Sequence, residues 1–364
     1  MNKKIYVLFS FMLLIASIAF MAGCGSEATS GGGGGGGVTA GTVFFLMKNS
    51  TNETIASSEV WKVSTDGSGL TKVISYDSVG FISYVTGSPN GRYVAIQQLY
   101  NVAVYDTQLG TLVTTEGRPN CWSPDGSKLI ISKGNFPNTY LYVTNSSLET
   151  PQRLTNTTST TPEIHPVFSP DGTFIVFERQ AYGTPRAAIY TINTSSIGGA
   201  PTNISPTTEA DGYDADITAQ NKIIFRITNA GAILGKGIYI MDQNGSNGSR
   251  IFNNGSHAIY KPLASEDGQY AYFVYDYDLS PCRHFKINIT SGATEDVTPA
   301  ISGGGLPQYP NVYRYFKKDI FFTYKSVTNS FGQSKSHIVI FNPDGSGILD
   351  ITPTDYNSLF EDVA

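Results

Sequence analysis

One short pattern recurs four times along this chain and limits its fold more than any other feature. The copies are Ser88-Pro-Asn-Gly-Arg-Tyr-Val-Ala-Ile, Ser123-Pro-Asp-Gly-Ser-Lys-Leu-Ile-Ile, Ser169-Pro-Asp-Gly-Thr-Phe-Ile-Val-Phe and Ser265-Glu-Asp-Gly-Gln-Tyr-Ala-Tyr-Phe. Pro sets φ for the first turn position, Asp or Asn supports the turn through its side chain, and Gly takes the positive-φ position that reverses the chain. The β-branched and aromatic run after each Gly reads as a strand. Each copy is therefore a strand, a tight turn and a second strand.

A second half-motif follows each first one: Val60-Trp-Lys-Val-Ser-Thr-Asp-Gly-Ser-Gly, Val102-Ala-Val-Tyr-Asp, Leu141-Tyr-Val-Thr, Ile189-Tyr-Thr-Ile-Asn, Ile238-Tyr-Ile-Met-Asp-Gln-Asn-Gly-Ser, Phe285-Lys-Ile-Asn-Ile-Thr-Ser-Gly and Ile338-Val-Ile-Phe-Asn-Pro-Asp-Gly-Ser-Gly. These are hairpins too, and two hairpins in succession make one four-stranded antiparallel blade. The second strand of each blade should start near Val43, Tyr93, Leu129, Phe174, Ile223, Tyr270 and Ile320. Two of those starts follow altered turns, Ala219-Gln-Asn-Lys and Phe316-Lys-Lys-Asp. Seven starts over residues 41–364 allow about 46 residues each, the usual spacing, where six blades would need about 54 and eight about 40. The expected fold is all-β: a seven-bladed β-propeller of four-stranded antiparallel blades. Gly41-Thr-Val-Phe-Phe-Leu aligns with Gly172-Thr-Phe-Ile-Val-Phe, so the first blade begins one strand late. Ser358-Leu-Phe-Glu-Asp aligns with Pro166-Val-Phe-Ser-Pro, so Asn357 to Val363 should supply the innermost strand of that blade and close the ring.

Ahead of the repeats, Lys3 and Lys4 precede an apolar stretch from Ile5 to Phe20 and then Met21-Ala22-Gly23-Cys24. That is the form of a secretory signal. Small residues before an isolated Cys resemble the bacterial lipobox, with Met21 where that motif usually has Leu. The resemblance implies cleavage before Cys24 and lipid on its thiol. Residues 1–23 are thus expected to be a lipoprotein signal peptide and residues 24–40, with seven consecutive Gly, a flexible tether carrying lipidated Cys24. Residues 41–364 would form the propeller. Gly25 and Ser26 carry no Asp retention signal, which in a two-membrane host implies the outer membrane, on its periplasmic side or at the cell surface. The chain has 24 basic and 29 acidic residues and a net charge of -5. Without its leader it would be more acidic still, the opposite of a nucleic-acid-binding footprint.

The Ser-Pro-Asp-Gly units, paired with hairpins such as Ile238-Tyr-Ile-Met-Asp-Gln-Asn-Gly-Ser, resemble the TolB-like or WD40-like (PD40) β-propeller repeat over nearly the whole chain after the leader. The resemblance implies the propeller fold and an envelope lipoprotein. It implies less about activity, because this repeat occurs in scaffold proteins, in peptidase gating domains and in some polysaccharide lyases.

Catalytic motifs are sparse. No Gly-x-Ser-x-Gly elbow occurs and no α/β segment follows the repeats, so a propeller-gated serine peptidase is not expected within this chain. No phosphate-cradling Gly-rich loop occurs either. His165, His257, His284 and His337 show no metal-binding spacing, and no metal or cofactor is expected. Alignment of the blades nevertheless puts His165, Asp214, Lys261 and Asn357 at corresponding positions facing the central channel, with Arg118 and Tyr309 near the same ring. A polar ring of mixed charge at one mouth is where a propeller would bind a peptide or small molecule; the plainer reading is that it solvates the entrance. Lyases with this repeat use channel His residues and a metal, so a polysaccharide-active, lyase-like enzyme is the second reading. Asp211, Asp214 and Asp216 lack the spacing of a calcium loop, and Asp276 and Asp278 are discounted likewise. Cys121 and Cys282 belong to nearly opposite blades, too far apart to bridge. The expectation is a monomeric, exported, lipid-anchored and non-catalytic scaffold with an envelope protein or peptide as its partner.

Overall fold

A computed structural model of the chain describes residues 20–22, 41–51, 54–77, 82–135, 137–157, 161–180, 187–206, 212–228, 235–255, 257–275, 283–299, 321–328, 334–352 and 360–363. Cys24 and the tether lie outside the described residues, as do Asp211, Asp276, Asp278, Cys282, Tyr309 and Asn357. Among the described residues every regular element is a strand, and no helix is long and apolar enough to cross a membrane.

The strands form a succession of antiparallel meanders. The first sheet joins Thr42–Thr51, Thr54–Ser64 and Thr71–Asp77, with Phe360–Val363 antiparallel along the free edge of Thr42–Thr51. The second comprises Ile82–Gly87, Tyr93–Gln98, Asn101–Asp106 and Thr111–Glu116, with Phe20–Ala22 parallel to Ile82–Gly87. The third runs Arg118–Trp122, Leu129–Lys133, Tyr140–Thr144 and Gln152–Arg153, and the fourth Glu163–Phe168, Phe174–Gln180, Ala187–Asn193 and Thr202–Asn203. Gly212–Ile217, Ile223–Ile227, Gly237–Met241 and Ser249–Phe252 make the fifth. The sixth consists of Ile259–Ala264, Tyr270–Tyr275, Arg283–Asn288 and Thr294–Asp296, and the last of Phe321–Thr328, Ser334–Phe341 and Leu349–Asp350. Five second strands start at the residue the repeat predicts, Tyr93, Leu129, Phe174, Ile223 and Tyr270.

The turns explain that agreement. In the third sheet the Ser123 hydroxyl donates to Asp125 and accepts from the Lys128 N–H at 2.8 Å, while Asp125 Oδ1 accepts from the Ser127 N–H at 3.0 Å. Gly126 closes the turn onto the Ser123 carbonyl with φ of 70°. Ser88, Ser169 and Ser265 repeat the arrangement with Asn90, Asp171 and Asp267. The motif satisfies its own polar groups, so strand starts are set locally.

Apolar clusters join neighbouring sheets. One apolar cluster combines Trp122, Leu129 and Ile131 with Ala95, Val102 and Val104, and others link the third sheet to the fourth, the fourth to the fifth and the fifth to the sixth. A larger cluster unites Val43–Met47 of the first sheet with Ile82 and Ile96 of the second and Ile338, Ile340 and Ile351 of the last. Polar stitches run beside the apolar contacts. Trp122 Nε1 donates to the Thr86 carbonyl at 3.1 Å and the Tyr84 hydroxyl to the Asn120 carbonyl at 2.7 Å. Glu163, fully buried at the start of the fourth sheet, pairs with Arg179 at 2.7 Å and accepts from the Thr155 hydroxyl and from the Leu141 N–H of the third sheet at 3.1 Å. Cys121 is fully buried.

His284 lies buried between the sixth and last sheets, stacked on Phe341 at 5.4 Å, and its Nδ1 has no hydrogen-bond partner among the described residues. Burial lowers its pKa to about 4, against the weaker upward pull of Asp296. The unfolded chain protonates this imidazole near its ordinary value of 6.5. Between those two values the unfolded state binds more protons, so stability is full above the upper value and falls as pH drops towards the lower, by about 3 kcal/mol. His284→Phe should flatten this slope; urea midpoints at pH 7 and pH 5 that differ as much in the variant as in the parent would refute it.

Candidate functional site

Three consecutive sheets carry the same irregularity in their first strand. The register against the second strand slips between Ile164 and Val167, between Tyr213 and Asp216, and between Tyr260 and Leu263. Each slip is a β-bulge, which re-aims a side chain and leaves backbone groups off the ladder. His165, Asp214 and Lys261 sit in these bulges with φ of 50°, 52° and 53°. This left-handed conformation costs a residue with a Cβ roughly 1–2 kcal/mol. These are three of the positions that blade alignment groups together. In the third sheet the slip brackets Asn120, and Arg118 beside it is exposed and joins none of the ion pairs among the described residues. Tyr309 and Asn357 are not among the described residues.

The second strands complete the cluster with residues that the repeat did not single out. Glu178 lies opposite Ile164, and Arg226 lies opposite Tyr213, so the two occupy equivalent places. Glu178 is 1% exposed; its Oε2 lies 3.3 Å from His165 Nδ1, and its Oε1 accepts the Asp214 backbone N–H at 2.7 Å. The bulge takes that N–H off its own ladder, and the neighbouring sheet supplies the acceptor. Arg226 donates through Nε to Asp214 Oδ2 and through Nη1 to the Ile259 carbonyl of the sixth sheet at 3.0 Å. Asp216 Oδ2 accepts the Ala264 N–H at 2.8 Å. Asp214 and Asp216 therefore spend one oxygen each on ties between neighbouring groups.

The electrostatics follow from this placement. Desolvation pulls the His165 imidazole down, but the Glu178 hydrogen bond and the charges of Glu178 and Asp214 outweigh it, and its pKa is raised. His165 still meets solvent, its side chain being 56% exposed. Lys261 moves the other way: burial brings its ammonium to about 8, although Asp214 and Asp216 favour the charged form. Three carboxylates and three bases thus share one small region. One ligand atom from each of His165, Glu178 and Asp214 lies within 4.8 Å of the other two, the only such group of metal-ligating residues among the described residues.

No protein family and no curated protein matches this sequence. Solved structures match its fold. Prolyl oligopeptidase B from Galerina marginata, bound to a 35mer hydrolysis and macrocyclization substrate, aligns over 89% of this chain and 51% of its own, with a TM-score of 0.61 and 9% identity. One of two prolyl endopeptidases studied for inter-domain dynamics in catalysis and specificity aligns over 86% of this chain and 49% of its own, with a TM-score of 0.59 and 13% identity. A TolB from Agrobacterium tumefaciens aligns over 71% and 88%, with a TM-score of 0.47 and 18% identity. The chain spans about half the length of the two peptidases, and the likeness to them is one of fold. Repeated four-stranded antiparallel meanders make that fold a β-propeller.

Proposed function

We propose that this chain is an exported, lipid-anchored, seven-bladed β-propeller that binds an envelope protein or peptide at its channel mouth without catalysing a reaction. The cluster around His165, Asp214 and Lys261 carries the reading. In a ring the first strands line the channel, so equivalent bulges on three consecutive sheets gather these side chains on one arc of its mouth. Both carboxylates that face the cluster, Glu178 and Asp214, are tied by hydrogen bonds that also hold neighbouring strands, which suits recognition by a rigid surface. The basic leader, its apolar stretch and the Ala-Gly-Cys before the Gly tether support the lipid anchor at Cys24.

Ring closure is supported by the pairing of Met47 with Val363 and Ser50 with Phe360, and by the apolar cluster shared between the first, second and last sheets. Deleting residues 354–364 should sharply lower the Tm, whereas an unchanged value would sink the closed ring. For the mouth, the full-length chain is used to capture partners from membranes, beside the double variant His165→Ala/Lys261→Ala. The partner should be lost in the variant at unchanged circular dichroism; equal capture would refute recognition at this site. Cleavage of acidic glycans by the purified chain would overturn the non-catalytic reading in favour of a lyase-like enzyme.

A further inference from the structure

We infer that His165, Glu178 and Asp214 form a site for one divalent metal ion, of the borderline first-row kind represented by Zn2+ rather than Mg2+ or Ca2+. Their ligand atoms converge within 4.8 Å from three strands of two neighbouring sheets. A tetrahedral ion about 2.0–2.2 Å from each ligand would hold them roughly 3.4 Å apart. His165 Nδ1 and Glu178 Oε2 already stand at 3.3 Å. The remaining closure, from 4.8 Å at most to about 3.4 Å, falls to the Asp214 oxygen that Arg226 does not hold and to the imidazole, whose side chain is 56% exposed.

The two carboxylates are anchored from behind. Glu178 accepts the Asp214 N–H through Oε1, so Oε2 is the oxygen that looks towards His165. Asp214 is held by Arg226 through Oδ2, so its other oxygen is the one offered. Outer hydrogen bonds of this kind orient ligands and sustain metal affinity. A metal-bound Nδ1 carries no proton, so the ion sits between Nδ1 and Oε2 in place of a hydrogen bond.

The donor set selects the ion. Calcium asks for six to eight oxygens and magnesium for an octahedron of oxygens, whereas an imidazole nitrogen with two carboxylates suits zinc. Arg226 and Lys261 offset much of the local negative charge, so binding must come from coordination and not from a pool of carboxylates. Three protein ligands leave a fourth position, and His165 is on the solvent side of the group. Zinc sites with three protein ligands keep such a position for water or an incoming donor. The metal goes beyond the proposed partner and does not depend on it.

The test is isothermal titration of Zn2+ into the purified, chelator-treated full-length chain, with Ca2+ and Mg2+ in parallel. One Zn2+ per chain is expected, with Ca2+ and Mg2+ giving no heat at the same concentrations. His165→Ala and Glu178→Gln should each weaken Zn2+ binding tenfold or more. His165 is exposed, so its variant keeps the fold even where Glu178→Gln does not, and circular dichroism checks both. The surface pair His337–Asp350, at 2.7 Å, supplies the control His337→Ala, which should bind as the parent does. Absence of stoichiometric uptake, uptake unchanged in His165→Ala, or uptake lost in His337→Ala instead would overturn the site. Partner capture is measured separately with and without chelator. Capture without metal uptake removes the metal site alone, and metal uptake without capture removes the partner reading alone.

Discussion

Replacing Glu163 by Leu should destabilise the protein by about 3–5 kcal/mol, while replacing Glu163 and Arg179 together should cost clearly less. Glu163 is fully buried and its partner Arg179 is 12% exposed in its side chain, with the pair at 2.7 Å. Losing the carboxylate strands a guanidinium that remains stacked over Tyr190 at 4.3 Å with little access to water. The Leu141 N–H and the Thr155 hydroxyl lose their acceptor in the same step. Removing both charges leaves only those two neutral donors to satisfy. Urea midpoints of the single and double variants decide the matter: a double variant as unstable as the single would show that stranded charge is not the cause.

Trp122→Ala should be equally damaging, by about 3–5 kcal/mol. Trp122 is fully buried at the end of the first strand of the third sheet, stacked on Tyr93 at 6.0 Å. Its Nε1 reaches across to the second sheet, so the substitution removes volume, a ring contact and the bond to the Thr86 carbonyl together. Trp122→Phe keeps most of the volume and loses the bond, so it should cost roughly 1–3 kcal/mol. Equal losses in the two variants, read from thermal unfolding, would assign the whole effect to the hydrogen bond and contradict the packing argument.

Strand positions were legible in the sequence because the Ser-Pro-Asp-Gly turn is complete in itself. Its Ser, Asp and Gly need only one another, and the apolar run that follows is the second strand. The bulge residues were legible for the same reason: counting back from the turn brings His165, Asp214 and Lys261 into line. Glu178 and Arg226 were not. The Ser169 N–H bonds to the Phe174 carbonyl, but the Thr218 N–H bonds to that of Lys222, so the fifth turn is one residue shorter. That deletion puts Arg226 one place out of step with Glu178 along the repeat. Each also stands at the end of an apolar run, Phe174-Ile-Val-Phe and Ile223-Ile-Phe, where a charge reads as the strand leaving the core. Their partners are on other strands and neighbouring sheets, which a linear pattern does not reveal. In the third sheet Arg118 lies two residues before Asn120, the residue that the slip brackets.

The sheets end unequally. Gln152–Arg153, Thr202–Asn203 and Leu349–Asp350 are outermost strands of two residues, whereas Thr111–Glu116 runs for six, with Leu112 40% and Val113 37% exposed; Thr71–Asp77 is as long, but it carries exposed Lys72 and a register slip against Thr54–Ser64, and both blunt an edge. A two-residue edge offers too few open amides and carbonyls to template another chain, while a six-residue edge offers a full row. Crowding many copies onto one surface would thus not make them stick at random. They would zip through the second sheet first, and a single Lys in place of Val113 would be the change that keeps them apart.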